Sequence, residues 1–122
     1  MPAQSAPHAL IIEDEMIIAL EVEDLLRGVG FATFDVAATP QDAVDQATRH
    51  RPDLITADVR ILGGTGIEAV QAITRQLGEI PYFYITGNID MLKDVDAARI
   101  VEKPINAHHF RRACAMAGGT VG

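Results

Sequence analysis

The hydrophobic and polar positions of the chain form five short apolar runs, separated by longer segments in which apolar residues recur with helical spacing. Runs of this length, bounded by polar or glycine-rich stretches, predict β-strands. The runs lie at residues 8–12, 31–37, 54–57, 81–86 and 99–102.

The segments between the runs predict five helices. Thr39 followed by Pro40 is a strong helix start, because Thr favours the N-cap position and Pro the first helical position. Asn106 has the same capping role before the last helix, and glycines mark several of the helix ends. The helices are predicted at residues 16–30, 40–50, 66–78, 88–98 and 107–117, the fourth of them short and weakly patterned.

The alternation of strands and helices predicts an α/β fold with a doubly wound, five-stranded parallel sheet. Strands joined through helices form right-handed crossovers, which cover both faces of the sheet. The chain length is that of one domain. We expect this domain at residues 8–117, between a disordered N-terminal tail at 1–7 and a short C-terminal tail at 118–122.

The composition narrows the class of protein. The chain has 122 residues, a formal net charge of −7 and 48% apolar residues. It can therefore bury a core of its own, whereas its negative charge argues against general binding to nucleic acids or anionic membranes. No apolar run reaches membrane-spanning length, and the first residues lack the basic and apolar pattern expected of a signal peptide. The single cysteine, Cys114, suits a reducing compartment. We expect a cytoplasmic protein without nucleic acid or membrane among its partners.

Polar residues follow four of the five apolar runs. Glu13 and Asp14 follow the first, Asp58 the third and Lys103 the fifth, while Thr86 ends the fourth. The carboxyl ends of parallel strands meet at one edge of a sheet, where ligands bind in doubly wound folds. Three carboxylates at one edge repel one another, and one lysine does not balance them. A magnesium ion would balance their charge, because Mg²⁺ prefers carboxylate oxygens as ligands.

A carboxylate beside a magnesium ion can attack a phosphoryl group, because the metal neutralises the charge on the phosphoryl oxygens. Asp58 follows its apolar run directly and is the predicted phosphoryl acceptor. Lys103 and Thr86 are predicted to contact the phosphoryl oxygens from the opposite side.

These motifs resemble the receiver domain of bacterial two-component response regulators, over nearly all of residues 8–116. The matching stretches are IIEDE, DLITADVRILGGTGIE, YITG and VEKP. The resemblance implies a flavodoxin-like (βα)₅ fold and a phosphoryl group received on Asp58 from a histidine kinase or a histidine phosphotransfer protein. It makes Glu13, Asp14 and Asp58 metal-site acids, adds the backbone carbonyl of Arg60 as a magnesium ligand, and implies a cis Lys103–Pro104 bond. Such a protein catalyses only its own phosphorylation and dephosphorylation.

The chain departs from the common receiver pattern at four positions. Glu13 stands where Asp is commoner, Leu62 replaces a usual proline, Gly87 follows the threonine in place of alanine, and Ile100 replaces an aromatic residue. These features are similar to the atypical single-domain receivers of alphaproteobacteria with a Phe-Ala-Thr-Gly-type motif. That similarity implies a role in a phosphorelay, including general stress signalling, with output by protein contact or phosphate relay.

Three other functions would use part of the same pattern. A magnesium-dependent phosphatase with an aspartate nucleophile would need a second acid two positions after Asp58, where Arg60 stands. A flavodoxin-like nucleotide binder would need a phosphate-binding loop after the first strand, where the chain has Glu-Asp-Glu. A degenerate receiver that acts only as an interaction module would not need the complete set of acids, threonine and lysine.

The first helix carries a second apolar surface. At 100° per residue, Val22 and Val29 lie close to Ile18 and form the face that packs on the sheet. Met16 and Leu20 fall on the opposite side, beside the predicted site. Receivers commonly use this helix to contact a histidine-bearing helical bundle, so we expect a histidine kinase or phosphotransfer protein to dock near Met16 and Leu20. The protein itself is expected to be a monomer or weak dimer.

The remaining chemistry-bearing side chains are expected to be structural. The histidines lack the spacing of metal ligands and are predicted at the surface, and Cys114 is predicted to pack as a small apolar residue. The four histidines are His8, His50, His108 and His109.

Overall fold

The computed structural model describes residues 6–118, so most of both predicted tails lies outside the described residues. Seven strands, four α-helices and two 3₁₀ helices follow one another in these residues. In chain order they are β1 (His8–Ile12), α1 (Met16–Val29), β2 (Thr33–Ala37), α2 (Pro40–Arg49), β3 (Leu54–Asp58), β4 (Arg60–Ile61), β5 (Gly64–Thr65), α3 (Gly66–Leu77), β6 (Tyr82–Thr86), the 3₁₀ helices Ile89–Leu92 and Ala97–Arg99, β7 (Ile100–Glu102) and α4 (Ala107–Ala117).

Five of the strands form one parallel sheet in the order β2-β1-β3-β6-β7. The two-residue strands β4 and β5 pair separately as a small antiparallel hairpin after β3. The order of the main sheet reverses between β1 and β3, and a doubly wound sheet binds its ligands at such a reversal. The predicted fold class is confirmed, and residues 13 and 58 lie at the reversal.

Both faces of the sheet are covered. Side chains of a strand alternate between faces, and in β1 Leu10 and Ile12 pack on one face while Ala9 and Ile11 pack on the other. The first core contains residues of α2 and α3, and the second contains residues of α1 and α4, including Cys114. Cys114 is fully buried, as predicted.

Capping side chains begin three of the four α-helices. The hydroxyl of Thr39 accepts a hydrogen bond from the Asp42 N–H, and the Asn106 carbonyl oxygen accepts one from the His109 N–H. Both caps were predicted from the sequence. Thr65 and Glu68 also form a reciprocal capping box at the start of α3, which fixes the helix directly after the β4–β5 hairpin.

The weakly patterned segment 88–98 forms two 3₁₀ helices in place of a fifth α-helix. Within it only Leu92 is fully buried, so no apolar stripe is available to hold an α-helix against the sheet. The Asp96 carboxylate accepts a hydrogen bond from the Ala98 N–H, which favours a local turn. Five strands therefore alternate with four α-helices.

Helix α1 leaves an apolar surface exposed, as the sequence predicted. Met16 is 64% exposed and Leu20 is 55% exposed. Ile17, which the helical pattern did not single out, is more exposed than either, at 83%. The buried residues of α1 are Ala19, Val22 and Leu26. None of the described helices is long and apolar enough to cross a membrane.

Candidate functional site

Two acidic residues lie buried at the carboxyl edge of the sheet, where its strand order reverses. Glu13 directly follows β1, and its N–H donates a hydrogen bond of 2.8 Å to the Ala37 carbonyl. Asp58 is the last residue of β3. The strands fix the backbone positions of both residues. Glu13 is only 4% exposed and Asp58 only 7% exposed.

Lys103 follows β7 and reaches both acids. Its N–H donates to the Thr86 carbonyl at 2.9 Å, which fixes its backbone beside β6. The Lys103 ammonium donates a 2.7 Å hydrogen bond to Asp58 Oδ2 and lies 3.8 Å from Glu13 Oε1. The Lys103–Pro104 bond is cis, as the sequence resemblance implied.

Two further acids complete the cluster. Carboxylate oxygens of Glu13, Asp14, Glu15 and Asp58 all lie within 4.8 Å of one another. Asp14 is half-buried and Glu15 is exposed, so the cluster opens to solvent on one side. A group of hard oxygen ligands with an open side fits Mg²⁺, which keeps some of its water ligands when bound.

The electrostatics of the cluster are unbalanced. Burial, and then the negative charge of Asp58, raises the pKa of Glu13 from its ordinary value of 4.5 to about 7. Burial by itself would lower the pKa of Lys103, but the hydrogen bond to Asp58 and the charges of Glu13 and Asp58 outweigh it and raise that pKa. One cation therefore faces several acids, and the most buried acid, Glu13, takes up a proton more readily than an ordinary glutamate.

Thr86 ends β6 beside the cluster, and its hydroxyl is hydrogen-bonded to the backbone rather than to an acid. Its side chain is buried, and its hydroxyl accepts a 2.9 Å hydrogen bond from the Asn88 N–H. Its predicted contact with a phosphoryl group therefore stays a prediction. Arg60, whose carbonyl was predicted to bind metal, lies in β4 at the mouth of the site. The open cleft has a volume of about 530 Å³ and is lined by Asp14, Glu15, Asp58, Arg60, Gly87, Asn88 and Lys103.

Sequence reasoning missed three residues of the site. Glu15 belongs to the acid cluster, and its N–H donates to Glu13 Oε2 at 3.2 Å. Asn88 lines the cleft, and a polar residue two positions after the end of β6 was a signal that could have found it. Gly66 begins α3 against the end of β3, where a Cβ atom would overlap the Asp58 carbonyl oxygen. A glycine at that position is therefore required by the approach of α3.

A larger depression lies elsewhere, between α3 and the segment 89–99. It has a volume of about 1080 Å³ and lies outside the acid cluster. Size therefore does not mark the functional site here. The candidate site is marked instead by buried acids, a paired lysine and its position at the strand reversal.

Comparison with known proteins agrees with the motifs. The sequence model of the response regulator receiver domain family matches residues 9–115. The phyllosphere-induced regulator PhyR of Methylorubrum extorquens is 39% identical over 88 residues, which make up 70% of this chain and 33% of that protein. Sporulation initiation phosphotransferase F of Bacillus subtilis is 30% identical over 109 residues, or 85% of this chain and 87% of that protein.

The fold is similar to a solved structure over most of its length. The solution NMR structure of the PhyR response regulator REC domain of Erythrobacter litoralis superposes with a TM-score of 0.82 at 32% identity, covering 92% of this chain and 89% of that chain. The chain spans about a third of the length of M. extorquens PhyR. The likeness to that protein therefore concerns one of its parts.

Proposed function

The chain belongs to the response regulator receiver domain family, and on this premise we propose that Asp58 accepts a phosphoryl group from the phosphohistidine of a histidine kinase or a histidine phosphotransfer protein. One observation carries the proposal. Asp58 ends β3 at the strand reversal, within the acid cluster and 2.7 Å from the Lys103 ammonium. This is the arrangement that an aspartate nucleophile for phosphoryl transfer requires.

The transfer is a substitution at phosphorus. A carboxylate oxygen of Asp58 forms the new P–O bond, the P–N bond to the donor histidine breaks, and its electron pair returns to the imidazole nitrogen. Lys103 stands beside the reacting carboxylate and neutralises negative charge on the transferred group. Thr86 would release the Asn88 N–H and turn its hydroxyl toward the phosphoryl oxygens, a movement of one buried side chain.

Magnesium is the cofactor of this proposal. Glu13, Asp14 and Asp58 would hold the ion, together with the backbone carbonyl of Arg60. When bound, the ion neutralises the acids and lets phosphoryl oxygens approach them. The acids present fit this role because they are hard oxygen ligands gathered at an open cleft.

The decisive variant is Asp58→Asn, which keeps the shape of the side chain and removes the nucleophile. With Mg²⁺ and a phosphohistidine donor, we expect wild type to take up one phosphoryl group and the variant to take up none. Asp94→Asn is the matched control, since Asp94 is exposed and outside the acid cluster. Labelling of the Asp58 variant at the wild-type rate, with or without Mg²⁺, would refute the assignment.

The wider role follows from the same chemistry. We propose that the protein acts in the cytoplasm, that its reaction is limited to its own phosphorylation and dephosphorylation, and that its output is a protein contact or onward phosphate relay. The similarity to a B. subtilis phosphotransferase along 87% of that protein supports a relay. A role in stress signalling rests on the resemblance to alphaproteobacterial single-domain receivers.

The exposed apolar surface of α1, formed by Met16, Ile17 and Leu20, is the proposed docking site for the phosphohistidine donor. It begins two residues after Asp14 and so lies beside the cleft. Large exposed apolar side chains grouped on one helix are typical of partner contacts, and Met adapts well to such surfaces.

Docking can be separated from chemistry by changing the donor. A variant with Met16→Ala, Ile17→Ala and Leu20→Ala keeps residues that favour a helix. We expect phosphotransfer from the protein donor to slow by about tenfold or more, as for loss of an interface anchor, while labelling by acetyl phosphate stays near wild type. Met116→Ala is the control, because Met116 is exposed near the end of α4, away from the cleft. Equal slowing with both donors would refute docking at α1.

A further inference from the structure

A second group of metal-ligating side chains lies at the opposite, amino-terminal edge of the sheet. His8 is the first residue of β1, Asp35 lies in β2 and His50 directly follows α2. A nitrogen of each imidazole and an oxygen of Asp35 lie within 4.8 Å of one another. Five residues of β1 separate this group from the acid cluster, a distance of roughly 16 Å.

His8 is held in place like a metal ligand. It was predicted at the surface, but it is only 2% exposed. Its Nδ1 is 2.8 Å from Thr33 Oγ1, and its Nε2 is 2.9 Å from Asp35 Oδ2. Its backbone N–H donates to Asp53 Oδ2 at 2.8 Å. Ligating histidines have their second ring nitrogen hydrogen-bonded in this way, which fixes the tautomer and the ring direction.

The hydroxyl of Thr33 can support His8 in either of two states. When neutral His8 carries its proton on Nε2, the Nε2–H donates to Asp35 and the Thr33 hydroxyl donates to Nδ1. With a metal on Nε2, the ring proton resides on Nδ1 and donates to Thr33 Oγ1, because the hydroxyl rotates between donor and acceptor roles. The imidazole keeps one proton throughout, so metal binding needs no net loss of a proton from neutral His8.

The third ligand, His50, would have to turn to bind the same ion as His8. The rings of His8 and His50 stack with centroids 3.5 Å apart and planes 10° apart. A metal ion lies in the plane of each imidazole it binds, so two parallel stacked rings cannot share one ion. His50 is exposed at the end of α2 and can turn out of the stack, whereas His8 is fixed.

We propose that His8, Asp35 and His50 form a binding site for a divalent ion of the zinc class, with water in the fourth position. Two imidazoles and a carboxylate match the preference of Zn²⁺ for tetrahedral nitrogen and oxygen ligands. The same set disfavours Mg²⁺, which prefers oxygen. The ion would link β1, β2 and the connection after α2, and so stabilise the edge of the sheet opposite the phosphorylation site.

Zinc and cobalt titrations of the full chain test the site. Millimolar Mg²⁺ is included to occupy the acid cluster. We expect wild type to bind one Zn²⁺ by calorimetry, Zn²⁺ to raise the melting temperature, and Co²⁺ to give the visible absorption of a four-coordinate ion. His50→Gln and Asp35→Asn should each weaken Zn²⁺ binding at least about tenfold. His50 is exposed, so its variant should fold normally.

Two controls locate the ion. His109→Gln, an exposed histidine of α4, should bind Zn²⁺ like wild type, and so should Asp14→Asn in the acid cluster. The proposal fails if wild type binds no Zn²⁺ at 100-fold molar excess. It also fails if His50→Gln binds as tightly as wild type, or if Asp14→Asn rather than His50→Gln removes the binding.

Discussion

A buried polar residue lies at each end of strand β1: His8 begins the strand and Glu13 directly follows it. The surroundings of these two residues differ. At the amino end, both ring nitrogens and the backbone N–H of His8 have hydrogen-bond partners. At the carboxyl end, Glu13 faces Asp58 and shares with it the single ammonium of Lys103. Donors and acceptors are matched at one end, whereas acids outnumber the cation at the other.

The difference is one of charge rather than of hydrogen bonding. Among the described residues, no buried side-chain nitrogen or oxygen lacks a hydrogen-bond partner. A matched polar group costs little to bury, whereas like charges at short distance oppose folding. Burial, and then the negative charge of Asp58, raises the pKa of Glu13 to about 7, so its charged form is costly in the folded protein. Such a cost is expected where a ligand relieves it, which here is the proposed magnesium and phosphoryl site.

The largest effect is expected from closing the space beside Asp58. In Gly66→Ala, the new methyl group would overlap the Asp58 carbonyl oxygen, so α3 or the end of β3 must move. We expect a loss of about 3 kcal/mol in the free energy of unfolding, as for severe overpacking, together with loss of phosphorylation. Urea unfolding and phosphoryl labelling measure the two effects.

Gly28→Ala is the matched control for this prediction. Gly28 lies within α1, and an added Cβ would meet no atom within 4 Å. Alanine in a helix should therefore leave stability unchanged or raise it by up to about 1 kcal/mol. If Gly66→Ala and Gly28→Ala unfold alike, the close approach at Asp58 does not limit the site.

The second effect concerns the charge of Glu13. Its pKa is raised from 4.5 to about 7 on folding, so between these pH values the folded state binds more protons than the unfolded state. The free energy of unfolding should therefore fall as pH rises through this window, by up to about 3 kcal/mol at 1.4 kcal/mol for each pKa unit. Glu13→Gln removes this contribution.

The comparison of wild type with Glu13→Gln isolates that contribution from all other titrating groups. Without divalent cations, we expect the variant to be the more stable protein at pH 8 and to lose this advantage near pH 4. Millimolar Mg²⁺ should reverse the order at pH 8, because it stabilises only the intact acid cluster. A stability difference that does not change between pH 4 and pH 8 would show that folding does not raise the pKa of Glu13.

The carboxyl end of the sheet could be predicted from sequence because its information is local. Four of the five apolar runs end in or next to a polar residue, and the parallel sheet brings residues 13, 58, 86 and 103 to one edge. The caps at Thr39 and Asn106 were equally local, since each contacts a residue three positions away.

The amino end could not be predicted in this way. The partners of His8 are Thr33, Asp35 and Asp53, which lie 25, 27 and 45 residues away in the sequence. No local pattern relates them, so a lone histidine before an apolar run reads as a surface residue. The exposure of Ile17 was missed for another reason: at 100° per residue Ile17 lies neither on the packing face around Ile18 nor directly opposite to it.

The smallest effect is expected from removing one acid at either end of β1, which should change the free energy of unfolding in opposite directions. Asp53→Ala deprives the buried His8 N–H of its acceptor at 2.8 Å, which should cost about 1 to 2 kcal/mol. Asp53→Asn keeps an acceptor oxygen and should cost less. Asp14→Ala at the carboxyl end removes a like charge, so without divalent cations it should leave stability unchanged or raise it. Urea unfolding of the three variants in EDTA at pH 7.5 measures the sign of the change in the free energy of unfolding at each end. If Asp14→Ala and Asp53→Ala destabilise the protein equally, the two ends are not held by different balances of charge.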